Sequence, residues 1–386
     1  MMSALMLRSL LGATLVTLVA ACQSADPPTD YETITVAPEE IERNGASPDF
    51  VGIRSTVTTG DGTWVLDRAA PFVTHVASDA ESTVTRFGSL GDGPGELRHP
   101  VAIQATPEGL DVWDVAKAEV VTYDPSGVLI AIRPLSNERG GWIRPDMAEV
   151  SYLDPWRVRR LDGHVVFARF PNGLTQLPDA ASGALVRGGT DLDPSQTILE
   201  YRDLVPRDGR ALGQFATMPL WDACGNAVVV WNPARSELEW FDPHGQRTDA
   251  ATVDARPPPL TDDGIVRFLR LMARLEIGPD FEAADIDFQS MARKVRPEFD
   301  ALAPAIVDVR CGGANTAWLQ LFDPEGDPLG HGRRWLRVRP GSAPSVVAFP
   351  PDFRPTEFGD DAMVGFEDAP SGQTLSLWRT QRHSTT

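Results

Sequence analysis

The sequence predicts an all-β fold, a six-bladed β-propeller with a helical insertion between blades 4 and 5, and three observations carry that prediction. A turn followed by a short apolar strand recurs six times along the 386 residues. The 33 prolines and 33 glycines supply many tight turns and favour short strands over a helical bundle. One interval between repeats is too long, and its excess reads as helix.

The six units follow in order. Asp61-Gly62 precedes TWVLD, Glu108-Gly109 precedes LDVWD, and Asp162-Gly163 precedes HVVFA. Cys224-Gly225 precedes NAVVVW, Cys311-Gly312 precedes GANTAWLQL, and Asp360-Asp361 precedes AMVGF. A second β-like run follows each: PFVTHV, EVVTYD, LTQLPD, ELEWFD, RRWLRV and LSLWR. Asp124, Asp242 and Asp323 open Asp-Pro-x-Gly turns, where Pro presets φ and Gly supplies the positive φ that a turn needs.

The second turn residues fall at 62, 109, 163, 225, 312 and 361, so the spacings are 47, 54, 62, 87 and 49. The long interval holds TDDGIVRFLRLMARLEIGP, in which Ile265, Phe268, Leu269, Met272 and Leu275 form one helical stripe and Arg267, Arg270 and Arg274 lie off it. Thr261 caps the start, Asp262 and Asp263 suit the positive end of the dipole, and Gly278-Pro279 stops the helix. More helix is expected around Phe281 to Val295. Removing roughly 40 residues of insert, about 258–300, restores the ~40 to 50 residues of a four-stranded blade. The propeller then spans 31–386. Its last unit ends with LSLWRT, one strand short, and YETITV near the N-terminus alternates without a blade of its own; this segment is expected to supply the missing outer strand and remove an edge.

The N-terminus carries an address. Arg8 opens an apolar run, Ser9 to Val19, too short to span a bilayer and ending in small residues, as a cleaved signal peptide over 1–21 does. The context LVAAC, with Val19, Ala20 and Ala21 before Cys22, resembles the lipobox of bacterial lipoproteins. That resemblance implies that the Cys22 thiol is diacylated and becomes the new N-terminus. Gln23 stands where an inner-membrane retention Asp would be, so the outer membrane or cell surface is favoured. Residues 22–30 lack apolar periodicity and read as a flexible tether. No later stretch reaches ~18 apolar residues, so the lipid is the expected membrane contact.

With one cysteine assigned to lipid, Cys224 and Cys311 remain as an even pair in a compartment where disulfides persist. Both occupy the first position of equivalent turns in consecutive units, and a disulfide is expected. The alternative, two buried free thiols, stays open at this level.

The stretch RFGSLGDGPGELRHPVAI resembles the junction of NHL-type propeller repeats, matched by Phe87, Gly88, Gly91, Gly93, Pro94, Gly95, Glu96 and Pro100. The resemblance implies that a Gly-rich loop leaves one blade and a Pro starts the inner strand of the next, the layout of six-bladed, exported NHL-like lipoproteins. A phosphate cradle is the competing reading of these glycines. It fails on context, since β-like VAI follows rather than a helix N-terminus.

Charge and motif usage narrow the chemistry. Acidic residues outnumber Lys plus Arg by 54 to 35, a field that repels polyanions and excludes nucleic acid as a partner. His75, His99, His164, His244, His331 and His383 have no metal-ligand spacing, no GxSxG elbow is present, and the acidic clusters lack a DxDxDG loop. No metal, cofactor or catalytic residue is therefore assigned. Trp64, Trp113, Trp231 and Trp318 recur in equivalent strands and read as packing between blades, whereas Trp142 and Trp156 are free to stack on a ligand.

The strand before each turn is expected to be innermost. These strands hold Arg54, Gln104, Arg157, Arg159, Asp308 and Arg310, a candidate funnel site for a carboxylate or phosphate group. Outward-pointing arginines, or arginines paired with acids across blades, are the alternative, because strand phase is not fixed by one sequence. The expected function is a lipid-anchored extracytoplasmic binding or scaffold module for a protein, peptide or glycan. The alternatives are a lyase or hydrolase in the central channel and a structural envelope protein.

Overall fold

The computed structural model describes residues 31–37, 41–43, 50–78, 83–134, 157–169, 183–190, 194–204, 220–277, 286–298, 302–313, 315–326, 331–359, 362–369 and 372–379. Two short strands come first, β1 (Thr33–Thr35) and β2 (Ile41–Arg43). Four antiparallel sheets then follow in chain order. The first holds β3 (Ile53–Thr58), β4 (Gly62–Asp67), β5 (Val73–Ala77) and β6 (Val84–Phe87); the second holds β7 (Pro100–Thr106), β8 (Gly109–Asp114), β9 (Glu119–Tyr123) and β10 (Leu129–Pro134). The third holds β11 (Val158–Leu161), β12 (His164–Arg169), β13 (Ala184–Gly188) and β14 (Pro194–Glu200). The fourth holds β15 (Trp221–Cys224), β16 (Ala227–Asn232), β17 (Glu237–Phe241) and β18 (Arg247–Thr252).

The remaining strands depart from six separate sheets. They are β19 (Ile306–Gly312), β20 (Thr316–Phe322), β21 (His331–Val338), β22 (Ser345–Ala348), β23 (Phe353–Phe358), β24 (Ala362–Ala369) and β25 (Gly372–Arg379). With β1 and β2 they form one nine-stranded sheet, ordered β1-β22-β21-β20-β19-β23-β24-β25-β2. Its two arms meet at a single parallel bridge, Gly312 to Phe358. The cause is the side chain that Gly312 lacks: a Cβ there would stand 2.7 Å from Trp318 Nε1 and 2.9 Å from Phe358 Cβ, so only glycine lets β19 and β23 approach this closely.

The first strands of the sheets are neighbours in sequence, β3 beside β7, β7 beside β11, β11 beside β15, β15 beside β19 and β19 beside β23, and β23 returns to β3. The arrangement is propeller-like, with the core between adjacent sheets rather than inside any one of them. Trp64 and Leu66 meet Ile103, Leu110 and Val112 between the first and second sheets. Trp113 and Val120 meet Val165 and Phe167 between the second and third, and Leu185 and Ile198 meet Trp221 and Val228 between the third and fourth. Each such side chain, fully buried, contributes roughly 1.5–3 kcal/mol. Trp64 and Trp113 lie in these layers, Trp318 is buried with Trp335 and Phe358 in the nine-stranded sheet, and Trp231 is buried on β16, whereas Trp142 and Trp156 lie outside the described residues.

Closure is made differently from the sequence expectation. The YETITV segment does not join the last arm; Thr33–Thr35 lies parallel to β22, with Thr33 opposite Val346 and Thr35 opposite Ala348. The strand that completes the last arm is β2, antiparallel to β25 through Ile41–Trp378 and Arg43–Ser376. The physical reason lies in Val36, whose burial among Trp335, Phe349 and Trp378 fixes the first segment beside β22.

Between β18 and β19 run two helices, α1 (Asp262–Ile277) and α2 (Phe288–Val295). Thr261 begins α1, its hydroxyl accepting from the Gly264 N–H at 3.1 Å. Ile265, Val266 and Phe288 are buried with Ala292 and Ala303 against Phe322, and Arg267 donates to the carbonyls of Pro324 and Gly326. The helices are thereby fixed to β20 and the turn after it. Among the described residues no helix is long and apolar enough to cross a membrane.

The stretch GDGPGEL also resolves. The Gly93 N–H donates to Glu96 Oε2 at 2.7 Å, and a Cβ on Gly91 would lie 2.1 Å from the same oxygen. Lys117 Nζ donates to the carbonyls of Gly93 and Glu96, and the Tyr123 hydroxyl to that of Gly95. The loop wraps its own carboxylate. The glycines make room for Glu96, and this seat for an anion is already filled from within the chain.

Candidate functional site

The polar groups that converge in this fold do so along the ring of first strands. A strand shows alternate residues to opposite faces, but four of these strands carry a bulge that resets the alternation. The register shifts fall at Arg54 in β3, Val101 in β7, Val307 in β19 and Thr356 in β23. Which side chains reach the axis is therefore decided after each bulge.

Arg157 just precedes β11 and is nearly fully buried. Its Nη1 donates to the carbonyls of Trp221 and Val309, and its Nη2 donates to Asp308 Oδ1 at 2.6 Å. Arg310 Nε donates to the other oxygen of Asp308 at 2.7 Å, and the Val309 N–H donates to Oδ1 at 2.8 Å. Burial pushes the Asp308 carboxyl up, but the charges of Arg310 and Arg157 and their hydrogen bonds outweigh burial and hold it far below the usual carboxylate range. One side chain thus ties β11, β15 and β19 together.

A second link runs parallel to the first. Arg159 Nε donates to Asp222 Oδ1 at 2.5 Å, and the Cys311 N–H donates to Asp222 Oδ2 at 2.9 Å. Beside it, Cys224 and Cys311 are joined as a disulfide with Cα atoms 5.1 Å apart. Arg54 and Gln104 are drawn elsewhere: Arg54 Nη1 donates to the Pro100 carbonyl at 2.7 Å, and Gln104 Oε1 accepts from the Arg160 N–H at 3.3 Å. Of the sequence-derived candidates, Arg157, Arg159, Asp308 and Arg310 come together, and Asp308 and Asp222 balance two of the three arginine charges. Cys22 lies outside the described residues.

Three participants escape sequence reasoning. Asp222 stands in WDAC, an acid inside an apolar strand, and such a residue requires a buried cation. Asp111, fully buried on β8, accepts from Thr122 Oγ1, Arg133 Nη2 and Arg160 Nη2, joining the second sheet to the third. Glu357 follows the bulge in β23. Burial raises its carboxyl above the usual range, with Asp222 acting in the same direction, while the Thr58 N–H and hydroxyl donate to it and Arg159 pulls the other way. Its Oε2 is buried and accepts no hydrogen bond among the described residues. Alongside, the hydroxyls of Thr56 and Thr356 meet at 2.7 Å across β3 and β23. Among the described residues no group of three His, Cys, Asp or Glu side chains is placed to hold a metal ion.

No family model matches the chain, and no characterised relative matches it by sequence. Solved structures do. A member of the DUF4221 family from Bacteroides vulgatus superposes with TM-score 0.51 at 8% identity over 88% of this chain and 94% of its own. A candidate exported protein from Bacteroides fragilis gives 0.48 at 10% identity over 90% and 98%. Virginiamycin B lyase from Staphylococcus aureus gives 0.43 at 10% identity over 88% and 98%. At these identities the likeness is one of fold, and it belongs with a propeller-like chain rather than with any one activity.

Proposed function

We propose that this chain is a lipid-anchored extracytoplasmic module, built on a six-bladed propeller of NHL-like layout, that binds a partner or scaffolds an assembly at the cell envelope. Taking the two arms of the nine-stranded sheet as separate blades gives six, each opening with one strand of the axial ring. The lipobox-like LVAAC context makes Cys22 the anchor and residues 22–30 the tether, with the outer membrane or cell surface as destination.

The observation that carries binding over catalysis is the pairing along the axis. Arg157 and Arg310 hold Asp308, and Arg159 holds Asp222, so these charges join sheets instead of awaiting a reaction. The enzymatic reading, a lyase or hydrolase in the channel, draws on Glu357, a carboxyl whose raised affinity for a proton suits an acid. Among the described residues the charges acting on Glu357 come from Arg159 and Asp222, which are bonded to each other, so neither is poised beside it as base or nucleophile. Binding is the reading that needs no further residue.

Labelling of growing cells with a fatty-acid probe tests the anchor: wild type is expected to take up label and sediment with membranes, and Cys22→Ser to do neither. A thermal-shift screen of the full chain in detergent, with anionic and neutral small molecules, tests binding. Turnover of any probe without stabilisation would favour the enzyme.

A further inference from the structure

We propose that the carboxyl of Glu357 and the guanidinium of Arg159 form a site for a carboxylate group, taken up together with one proton. This deepens the binding reading above and rests on it. The first observation is the orphan oxygen: Oε2 of Glu357 is buried and accepts no hydrogen bond among the described residues, although the rest of the carboxyl is served by Thr58. An ionised oxygen in that position is costly, whereas a protonated one is a donor looking for an acceptor.

The second observation is the unused part of Arg159. Its Nε goes to Asp222 and its Nη1 to the Val158 carbonyl, while Nη2 makes no hydrogen bond among the described residues and 22% of the side chain is open to solvent. A carboxylate has two oxygens, one for the Glu357 O–H and one for Nη2 of Arg159, and carboxylic acid to carboxylate bonds are short and strong.

Charge selects the ligand. Arg159 and Asp222 cancel, and a protonated Glu357 adds nothing, so the site is neutral and accepts one negative charge. A phosphate dianion would bring a second charge against Asp222, and an amine would meet the Arg159 guanidinium. From β3 come Thr56 and Thr58, and β24 sets Val364 opposite Glu357, all uncharged. On β19 Asp308 is shared by Arg310 and Arg157, one positive charge in excess, which also favours an anion over an amine.

Titration calorimetry on the full-length chain in detergent tests the site with N-acetyl-alanyl-alanine, its C-terminal amide, glucuronate and glucose, at pH 5.5 and 8.0. Wild type is expected to bind one or both acids at least tenfold more tightly at pH 5.5 than at pH 8.0, to take up one proton on binding at pH 8.0, and to bind neither the amide nor glucose. Which acid binds identifies a peptide or a sugar as the source. Glu357→Gln keeps the size and a donor, so it should bind at both pH values with equal affinity. Thr58→Val removes a donor to the ionised form and should move the pH dependence upward. Acid binding that ignores pH in wild type, or pH dependence that survives in Glu357→Gln, overturns this site while leaving the binding reading intact. No binding of any probe at either pH, together with no stabilisation in the wider screen, overturns both.

Discussion

From β11 through β15 to β19 the axial ring is fastened by charge and covalent bond: Arg157 and Arg310 on Asp308, Arg159 on Asp222, and Cys224 to Cys311. From β23 to β3, where the ends of the chain meet, the fastening is neutral. Thr56 meets Thr356, Phe50 exchanges backbone bonds with Gln373, and the Gln373 side chain accepts from the Ile53 N–H. The charged arc gains stability from ionisation and the neutral seam loses it, because Asp308 is held below the usual carboxylate range and Glu357 above it. The two arcs should therefore respond to acid and alkali in opposite senses.

The largest expected effect breaks the charged arc at its covalent link. Replacing Cys224 and Cys311 together by Ala opens a loop spanning 87 residues, and chain entropy puts the loss at about 4 kcal/mol. Urea denaturation measures it, and a loss under about 1 kcal/mol would show that this arc does not depend on the bond.

Next comes Asp308→Asn, which strands two guanidiniums, one of them buried, at a cost of about 3 kcal/mol. The sign of its pH dependence follows from the depressed pKa. The contribution of Asp308 is present above the unfolded carboxylate value and is lost as pH falls toward the folded one. Wild type should thus lose stability in acid more steeply than Asp308→Asn, and parallel acid limbs would refute the assignment.

The third effect lies at the seam and separates the two N-terminal strands. Deleting Ile41–Arg43 exposes the edge of β25 and should cost about 2 kcal/mol, whereas deleting Thr33–Thr35, solvent-exposed throughout, should cost less than half as much. Melting curves of the two deletions decide this, and the reverse order would return closure to the first segment.

The sequence makes the units readable and leaves their joints obscure. The Asp-Gly and Cys-Gly turns, the apolar runs after them and the long interval before Cys311 are local features, fixed by φ preference and periodicity. The joints are not local. Arg54 and Thr356 sit at bulges, and a bulge inverts the phase on which any reading of inward side chains depends. The pairing of Arg157 with Asp308 spans 151 residues, and nothing in either strand names the other. Gly312 looks like a turn residue in the sequence. In the fold it is also the gap through which β19 and β23 meet.

The smallest effect concerns Glu357, and it sharpens the contrast between the arcs most directly. A carboxyl whose folded pKa is raised stabilises the fold fully below its unfolded value, and that contribution is lost as pH rises through the folded value. The cause is burial, reinforced by Asp222 and only partly offset by Thr58 and Arg159. Glu357→Gln removes the ionisation and keeps the shape, so it should match wild type in acid and exceed it at pH 8 by on the order of 1 kcal/mol, the cost of one unsatisfied buried oxygen. Thermal melts of the two proteins without ligand, from pH 4 to 9, give the difference. Curves that diverge in acid, or a variant less stable than wild type at pH 8, would mean that the ionised carboxylate is held at the seam by partners as good as those of Asp308, and the distinction between a charged arc and a neutral one would be lost.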